Sequence, residues 1–524
     1  MRRTLGLDVG TTALKGVLVD ERGTVVAEAS RSYPMSEPAP GWTEQDPEHW
    51  WQAAVDVTRA LLESHGDVEA VGLSGQMHGT VALDAEGRVL HPAILWNDQR
   101  SGAECRELDE LTGGRVARWT LNPPRAAFTA TKLLWLRRHR PDVYEQIAAV
   151  LLPKDYVRYR LSGLRATDVT DASGTAMLAV RERRWSKDML DALAIPQAWL
   201  PQTLESVEVA GSVDAAGAAA SGLAPGTPIV GGAADQAAAA IGNGVVRAGV
   251  LSITLGTSGV VYAQIDRVLV DPSGALHTFC HAIPGTWQLM AGVLSAGGSL
   301  RWFRDAIWAP FGGEAAGDPS GDGAYAAICR GIGEVRPGAD GLVFLPYLTG
   351  ERSPHADPDA RGCWLGLTTR HDHRHLARAI LEGVAFALRS LVEIAERLGV
   401  RIEEIRVAGG GARSPLWLQI LADVLGRPVR PALNPNASAC GAAALAMAAA
   451  TGRDLAALAA DWAQAGPLVE PLAAHAAVYE RLYGVFERLH AAVSPSMHEL
   501  AALERDVLPQ PGADPSSSPP SSRC

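Results

Sequence analysis

The 524-residue chain is short of positive charge, of paired cysteines and of long apolar runs. Its 47 Lys and Arg against 58 Asp and Glu leave a net charge of −11, which speaks against a protein that holds nucleic acid on a broadly basic surface. The six cysteines, Cys105, Cys280, Cys329, Cys363, Cys440 and Cys524, are scattered with no close pair, so neither a disulfide framework nor a zinc site is suggested. No apolar stretch approaches a membrane span; the alanine-rich run 437–450 is short and weakly hydrophobic, and no membrane partner is expected. Met1-Arg2-Arg3 enters an apolar segment with no signal-peptide core, so a cytoplasmic protein is expected. The chain also lacks a Gly-rich loop ending in Gly-Lys-Ser/Thr and a Gly-x-Gly-x-x-Gly after a strand, which removes the P-loop and the dinucleotide-binding fold.

What is present starts at the N-terminus. Leu5 and Leu7 lead into Asp8-Val9-Gly10-Thr11-Thr12, and Leu14 and Val17 to Val19 lead out, which reads as two strands joined by a tight hairpin. Gly10 allows close approach and torsions that a Cβ forbids. Backbone N–H groups in such a turn converge on an anion, the Thr11 and Thr12 hydroxyls add donors, and Asp8 is placed to hold a hydrated Mg²⁺. An ordinary hairpin with a solvated Asp fits this segment equally well by itself. The pattern recurs, however, at Leu255-Gly256-Thr257-Ser258-Gly259, with Thr254 where Asp8 stood, so a metal role belongs to one half only. That asymmetry suits a cleft in which one turn handles the metal and terminal phosphate and the other touches the remaining phosphates of a nucleotide.

Length agrees with two domains, and 47% hydrophobic with 20% charged residues is the composition of a folded protein. Strands are expected at 4–9, 14–20 and 24–30, a helix from Asp46-Pro47 to about Ser64, a strand at 68–73, and a strand at 93–96. Helices are expected at about 99–111, 129–138 and 153–161. In the second half, strands fall near 250–255 and 260–264, and the longest helix, 375–398, carries a core-facing stripe from Leu376 to Ala395. A strand at 405–408 leads into Gly409-Gly410-Gly411-Ala412-Arg413, with another helix from near Ser414. The halves divide near 242–249, giving domains 1–246 and 247–493. The Pro- and Ser-rich tail 507–524 is expected to be disordered.

Strand meander, helix, strand and helix, given twice with a phosphate turn each time, is the layout of an α/β fold of two actin-like (ribonuclease H-like) ATPase domains flanking a central cleft. The chain resembles the FGGY family of carbohydrate kinases. The resemblance rests on the Asp8–Thr12 turn, Trp42-Thr43-Glu44-Gln45-Asp46-Pro47-Glu48, Gly75-Gln76-Met77-His78-Gly79, Ile94-Leu95-Trp96-Asn97-Asp98, Leu152-Pro153-Lys154-Asp155-Tyr156, the 255–259 turn, Phe344–Leu348 with Gly350-Glu351-Arg352, and Gly409–Arg413. It runs to about Val493. Gly-Gln-Met-His-Gly with Leu-Trp-Asn-Asp marks the D-xylulose-using branch, whereas the Gly-rich turns mark only the superfamily.

The resemblance implies ATP-dependent phosphorylation of the terminal hydroxyl of D-xylulose, with Mg²⁺. Such transfer needs a carboxylate to accept the hydroxyl proton. Asp235, after the strand-like 228–230 and at the start of an Ala-rich helix ending near Gly242, occupies the family's base position; a plain N-cap is its structural alternative. Met77 and His78 match the sugar-contacting pair, with core packing as the bland reading. Asn97 and Asp98 offer hydroxyl ligands, with helix capping as theirs. For the nucleotide, Gly10, Thr11, Thr12, Gly256, Thr257 and Ser258 meet phosphates, Gly409, Gly410 and Gly411 let the adenosine lie against backbone, and Arg413 and Ser414 edge the adenine. Gly298, beside Gly297 and Ser299, is a weaker candidate. Lys15 reads as structural, and His371, His373 and His375, although spaced like metal ligands, lack a further one.

Departures from the family pattern lie near the sugar: Ala127 and Thr131 replace Gly and Pro in the loop 122–132, and Gln236 replaces the Asn after the base. Another acceptor (L-ribulose, D-ribulose or glycerol) is the nearer alternative, and a non-catalytic nucleotide sensor the further one. The acid pair Asp8 and Asp235 discriminates, since a sensor needs neither. Relatives in the family are often dimers, and the resemblance allows a homodimer.

Overall fold

Two open sheets built to one plan organise the chain in its computed structural model, which describes residues 2–310 and 322–507. In the first, β1 (Arg3–Val9) turns back into β2 (Ala13–Asp20) and on into β3 (Val25–Ser32), all antiparallel. α1 (Pro47–Glu63) then crosses to β4 (Ala70–Gly75), which lies parallel to β1. Asp46 caps α1 by accepting the Glu48 N–H, with Pro47 in the first turn where its missing N–H costs nothing. α2 (Thr129–His139) and α3 (Pro153–Ser162) follow. β5 (Val209–Ser212), β6 (Pro228–Val230) and β7 (Ala233–Ala234) complete the sheet in the order β5-β6-β4-β1-β2-β3, with β7 also beside β4. α4 (Asp235–Gly242) leaves β7 directly.

After the expected connector, β8 (Val250–Leu255) and β9 (Gly259–Ile265) form the second hairpin, joined by β10 (His277–Cys280) and β11 (Trp287–Val293). α5 (Gly297–Phe303) and the long α6 (His373–Arg397) lead to β12 (Glu404–Ala408), then α7 (Pro415–Leu425) and β13 (Arg430–Pro431). The sheet order is β10-β11-β9-β8-β12-β13, and β8 is antiparallel to β9 and parallel to β12, as β1 is to β2 and β4. The echo holds in register: Asp8 lies between Lys15 and Ser74, and Thr254 between Val260 and Ala408. This is the two-lobed α/β arrangement expected from the sequence.

Packing does not follow the chain. α8 (Ala437–Thr451), from the second half, lies on the first sheet and against α4, while α9 (Ala473–Val507) packs on the second lobe. Thr4 Oγ1 donates to the Ala443 carbonyl at 2.9 Å. A Cβ on Gly6 would sit 1.9 Å from the Ala439 carbonyl oxygen, and one on Gly72 would sit 1.8 Å from that of Ala442. Between the helices, a Cβ on Gly441 would meet the Ala238 carbonyl at 1.9 Å. The alanine run is thus a helix buried between a sheet and a helix, where small side chains let backbones touch. No helix among the described residues is long and apolar enough to cross a membrane. The tail expected to be disordered lies, from residue 508 on, outside the described residues.

Candidate active site

The N-terminal turn is built by hydrogen bonds from well-separated segments. Gly10 N–H donates to the Asp8 and Ala13 carbonyls, both at 3.1 Å. Gln45 Nε2 donates to the Thr11 carbonyl at 2.7 Å, Trp96 Nε1 to Thr11 Oγ1 at 3.0 Å, and the Tyr33 hydroxyl to the Gly10 carbonyl. Gln45 is itself fixed by donors from Trp50 Nε1 and Gln76 Nε2, each at 3.0 Å. One expectation is corrected: Gly10 is not in the left-handed region, and glycine is needed there for space, because a Cβ would lie 2.8 Å from the Ala13 carbonyl. Thr12 is exposed at the tip.

Asp8, at the end of β1, accepts from Ser74 Oγ at 3.0 Å. Burial raises its pKa to about 6, against the opposing pull of the Ser74 hydroxyl and of Lys15, which is exposed and pairs with Asp8 across the hairpin. Asp235 opens α4 as its first helical residue rather than as the N-cap, and its Oδ1 accepts from the Gln236 N–H at 2.7 Å. Burial first, and the like charge of Asp8 second, push the Asp235 carboxyl up to about 7. The two carboxylates therefore lie near enough to feel one another's charge.

Asp235 lines a cavity of about 150 Å³ together with Met77, His78, Trp96, Arg125, Phe128, Gln236, Ser258, His277, Phe279 and Arg352. Met77 and His78 are where the sequence placed them. His277 and Phe279 come from β10, so the second lobe walls the pocket as well as the first. His78 Nδ1 pairs with the Gly174 carbonyl at 2.7 Å, which makes Nδ1 the donor and leaves Nε2 as an acceptor. Burial and the nearby cations Lys132 and Arg352 lower the ring to about 3, so the imidazole is neutral at physiological pH. Arg125 and Arg352 hold His277 neutral in the same way, after burial.

His78 has φ of 68°, a strained value for a side-chain-bearing residue, and its carbonyl is gripped from behind. Lys132 Nζ, wholly buried, donates to it at 2.7 Å, and Thr129 Oγ1 at 3.3 Å. Lys132→Met removes the stronger donor while keeping the volume. Burial lowers the Lys132 ammonium to about 7, and leaving the buried His78 carbonyl without this donor costs about 1–3 kcal/mol, so the KM for the sugar is expected to rise about tenfold with the KM for ATP unchanged. Steady-state kinetics with each substrate varied in turn checks this.

Asn97 and Asp98 are not brought to the cavity. Asp98 is buried and chelated by Arg100 through Nε at 2.9 Å and Nη2 at 2.8 Å, and it accepts the Thr43 N–H at 2.6 Å. Asn97 Oδ1 accepts from Thr43 Oγ1 at 2.8 Å. Arg100, stacked 4.0 Å over Trp42, consumes the acid that was read as a hydroxyl ligand, and Trp96 faces the pocket instead. The helix expected from 99 accordingly starts at Gly102. Nor do the three histidines form a metal site. His375 closes a capping box with Asp372, His371 Nδ1 accepts from the Thr368 N–H at 2.9 Å, and His373 packs edge-on to Trp308.

On the second lobe, Ser258 reaches the cavity, and the turn is stitched to the start of α5. Gly297 N–H donates to the Gly256 carbonyl at 2.8 Å and Gly298 N–H to that of Thr257 at 2.9 Å, so the Gly298 amide is spent inside the protein. Gly409, with φ of 86°, passes so close to β8 that a Cβ would lie 2.7 Å from the Leu255 carbonyl. This brings Gly409 to Gly411 beside the turn. Ser414 Oγ accepts the Trp417 N–H at 3.3 Å as the cap of α7.

The donor set fits a hydrated Mg²⁺. The groups there that could hold one are the carboxylates of Asp8 and Asp235, which lie within electrostatic reach of each other. That matches an ion held by one or two carboxylates, water and phosphate oxygens.

Comparison with known proteins agrees with this geometry. The model of the N-terminal domain of the FGGY family of carbohydrate kinases matches residues 3–242, and that of its C-terminal domain residues 251–450. A xylulose kinase of Escherichia coli (strain K12) is 42% identical over 450 residues, 85% of this chain and 90% of that protein. One of Bacillus subtilis (strain 168) is 36% identical over 450 residues, 85% and 88% respectively. The crystal structure of a xylulose kinase from Rhodospirillum rubrum superposes with a TM-score of 0.87 at 35% identity, covering 95% of this chain and all of that one. With matched domain models across both lobes, the chain belongs to the FGGY family of carbohydrate kinases and is an ATP-dependent sugar kinase.

Proposed function

We propose that this kinase phosphorylates the terminal hydroxyl of D-xylulose, giving D-xylulose 5-phosphate and ADP, with Asp235 as the general base. The observation that carries the reading is the placement of the Asp235 carboxylate in one cavity with Met77, His78 and the phosphate-turn residue Ser258. The acceptor hydroxyl gives its proton to Asp235 as its oxygen forms a bond to the γ-phosphorus, and the bond to the ADP oxygen breaks. Gly10 to Thr12 and Gly256 to Ser258 hold the phosphates from opposite lobes. Gly409 to Gly411, with Arg413 and Ser414, carry the nucleoside. Asp8 holds Mg²⁺, which neutralises charge on the phosphates.

The pocket suits an open-chain ketose. Neutral His78 offers an acceptor, Arg125 and Arg352 offer donors to carbonyl and hydroxyl oxygens, and Phe128 and Phe279 exclude water. The names of the related xylulose kinases support the same sugar. A coupled ADP-release assay over D-xylulose, L-ribulose, D-ribulose and glycerol tests it: D-xylulose is expected to give the highest kcat/KM, and any other winner overturns the sugar assignment while leaving the kinase in place.

A further inference from the structure

Behind Asp235 lies a buried ionic cluster that the phosphoryl transfer does not use. Lys154, Asp155 and Arg158 enter it from α3, Asp168 from the end of the short strand Ala166–Asp168, and Thr170 and Asp171 from the helical turn that follows; all six side chains are shut off from solvent. Lys154 Nζ lies 2.6 Å from Asp155 Oδ1, 2.9 Å from Asp168 Oδ1 and 3.2 Å from Asp171 Oδ2. Arg158 Nη2 lies 2.8 Å from Asp155 Oδ1. Replacing such a cluster by packed apolar side chains would be no less stable in general, so stability alone does not account for it.

The cluster grips the short path that delivers Asp235. At one end, Arg158 Nη2 donates to the Gly231 carbonyl at 2.5 Å. At the other, the Ala234 N–H donates to Thr170 Oγ1 at 2.8 Å, one residue before the carboxylate. The Thr170 hydroxyl hydrogen is committed elsewhere, to Asp168 Oδ2 at 2.6 Å, which leaves its oxygen lone pair aimed at Ala234. Asp168 cannot swing, because the same oxygen also accepts from the Thr170 N–H at 2.8 Å and Ser206 Oγ at 3.1 Å. Between the grips, Gly232 has φ of 73°, and a Cβ there would lie 2.2 Å from the Leu73 carbonyl. A path that bends this sharply over five residues needs both ends held.

We propose that Thr170, oriented by Asp168 and Lys154, is a positioning residue for the general base: its hydroxyl oxygen fixes the Ala234 amide and so aims the first turn of α4, with the Asp235 carboxylate, at the acceptor hydroxyl. The inference rests on Asp235 being the base. Thr170→Val keeps the shape and removes the acceptor; Thr170→Ser restores it. A misplacement of about 1 Å costs roughly a hundredfold in rate, so kcat in Thr170→Val is expected to fall by roughly that factor. The KM values for D-xylulose and ATP are expected to stay within about threefold, since neither Thr170 nor Ala234 lines the cavity. The acid limb of the kcat/KM profile should shift in Thr170→Val and return in Thr170→Ser.

Asp168→Asn, read in the same assay, serves if Thr170→Val does not fold. The proposal is overturned if folded Thr170→Val or Asp168→Asn turns over at the wild-type rate, or if kcat and both KM values deteriorate together and Thr170→Ser fails to rescue. Asp235→Asn run alongside separates the two failures. Turnover retained in Asp235→Asn sinks the base assignment itself, whereas a dead Asp235→Asn beside a normal Thr170→Val sinks only the positioning role.

Discussion

Replacing Asp235 by asparagine is expected to lower kcat by about 10³-fold, within the 10²–10⁴ that a positioned general base contributes, while ATP binding persists. Asn keeps the side-chain shape and the acceptor for the Gln236 N–H, so the start of α4 is preserved and only the proton-accepting charge is lost. The wild-type enzyme should carry the signature of that charge in its pH profile. With the carboxyl at about 7, the active, ionised form grows as pH rises. kcat/KM is thus expected to climb about tenfold per pH unit below 7 and to level off above it. Asp8 adds to this rise as the second-largest cause, so Asp8→Asn should move the limb to lower pH even as it raises the Mg²⁺ concentration needed. A limb that stays put in Asp8→Asn would separate the two carboxylates, and wild-type turnover in Asp235→Asn would remove the base.

The parts of this site that were legible in the sequence are those carried by contiguous residues. The Asp8–Thr12 turn, its echo at 255–259 and Asp235 at the head of an alanine helix each advertise themselves through a strand, a tight turn and a small-residue neighbourhood. His277, Phe279 and Arg352 do not, because β10 is set in place by its pairing with β11 and nothing local in the 350–352 motif shows that Arg352 lines the cavity. Arg125 had a faint signal in the irregular loop 122–132, next to Phe128. The loop is in fact sewn across the lobes, with Asn122 Nδ2 donating to the Thr278 carbonyl at 2.8 Å and Arg125 Nη2 to that of Gly274 at 2.9 Å. Asn97 and Asp98 misled because an acid after a strand looks like a ligand. The Arg two residues on, beside the aromatic Trp42, was the available counter-signal. Gln45 stands inside the 42–48 motif, but nothing local shows that its amide crosses to the Thr11 carbonyl. The packing of α8 on the first sheet was not legible, because this helix has no apolar stripe to reveal which sheet it joins.

That helix carries the second large effect. Gly72→Ala is expected to destabilise the enzyme by about 3 kcal/mol, the upper part of the usual overpacking range, and to lower Tm by roughly 10 °C at about 2–4 °C per kcal/mol. The reason is the nature of the neighbour. The new methyl would sit 1.8 Å from the Ala442 carbonyl oxygen, and a carbonyl within a helix cannot rotate away as a side chain can. α8 must instead move as a body, and it is held on its far face by α4, where a Cβ on Gly441 would come within 1.9 Å of the Ala238 carbonyl oxygen. Displacing α8 therefore pushes on the helix whose first residue is Asp235, so activity should fall further than the stability loss alone dictates at temperatures where the variant is folded. Gly102→Ala is the control: it lies exposed at the start of a helix with nothing within 4 Å, and both Tm and kcat should stay at wild-type values. Calorimetry on the two variants decides the matter, and a Gly72→Ala enzyme that melts with the wild type would mean that α8 does not rest backbone to backbone on β4.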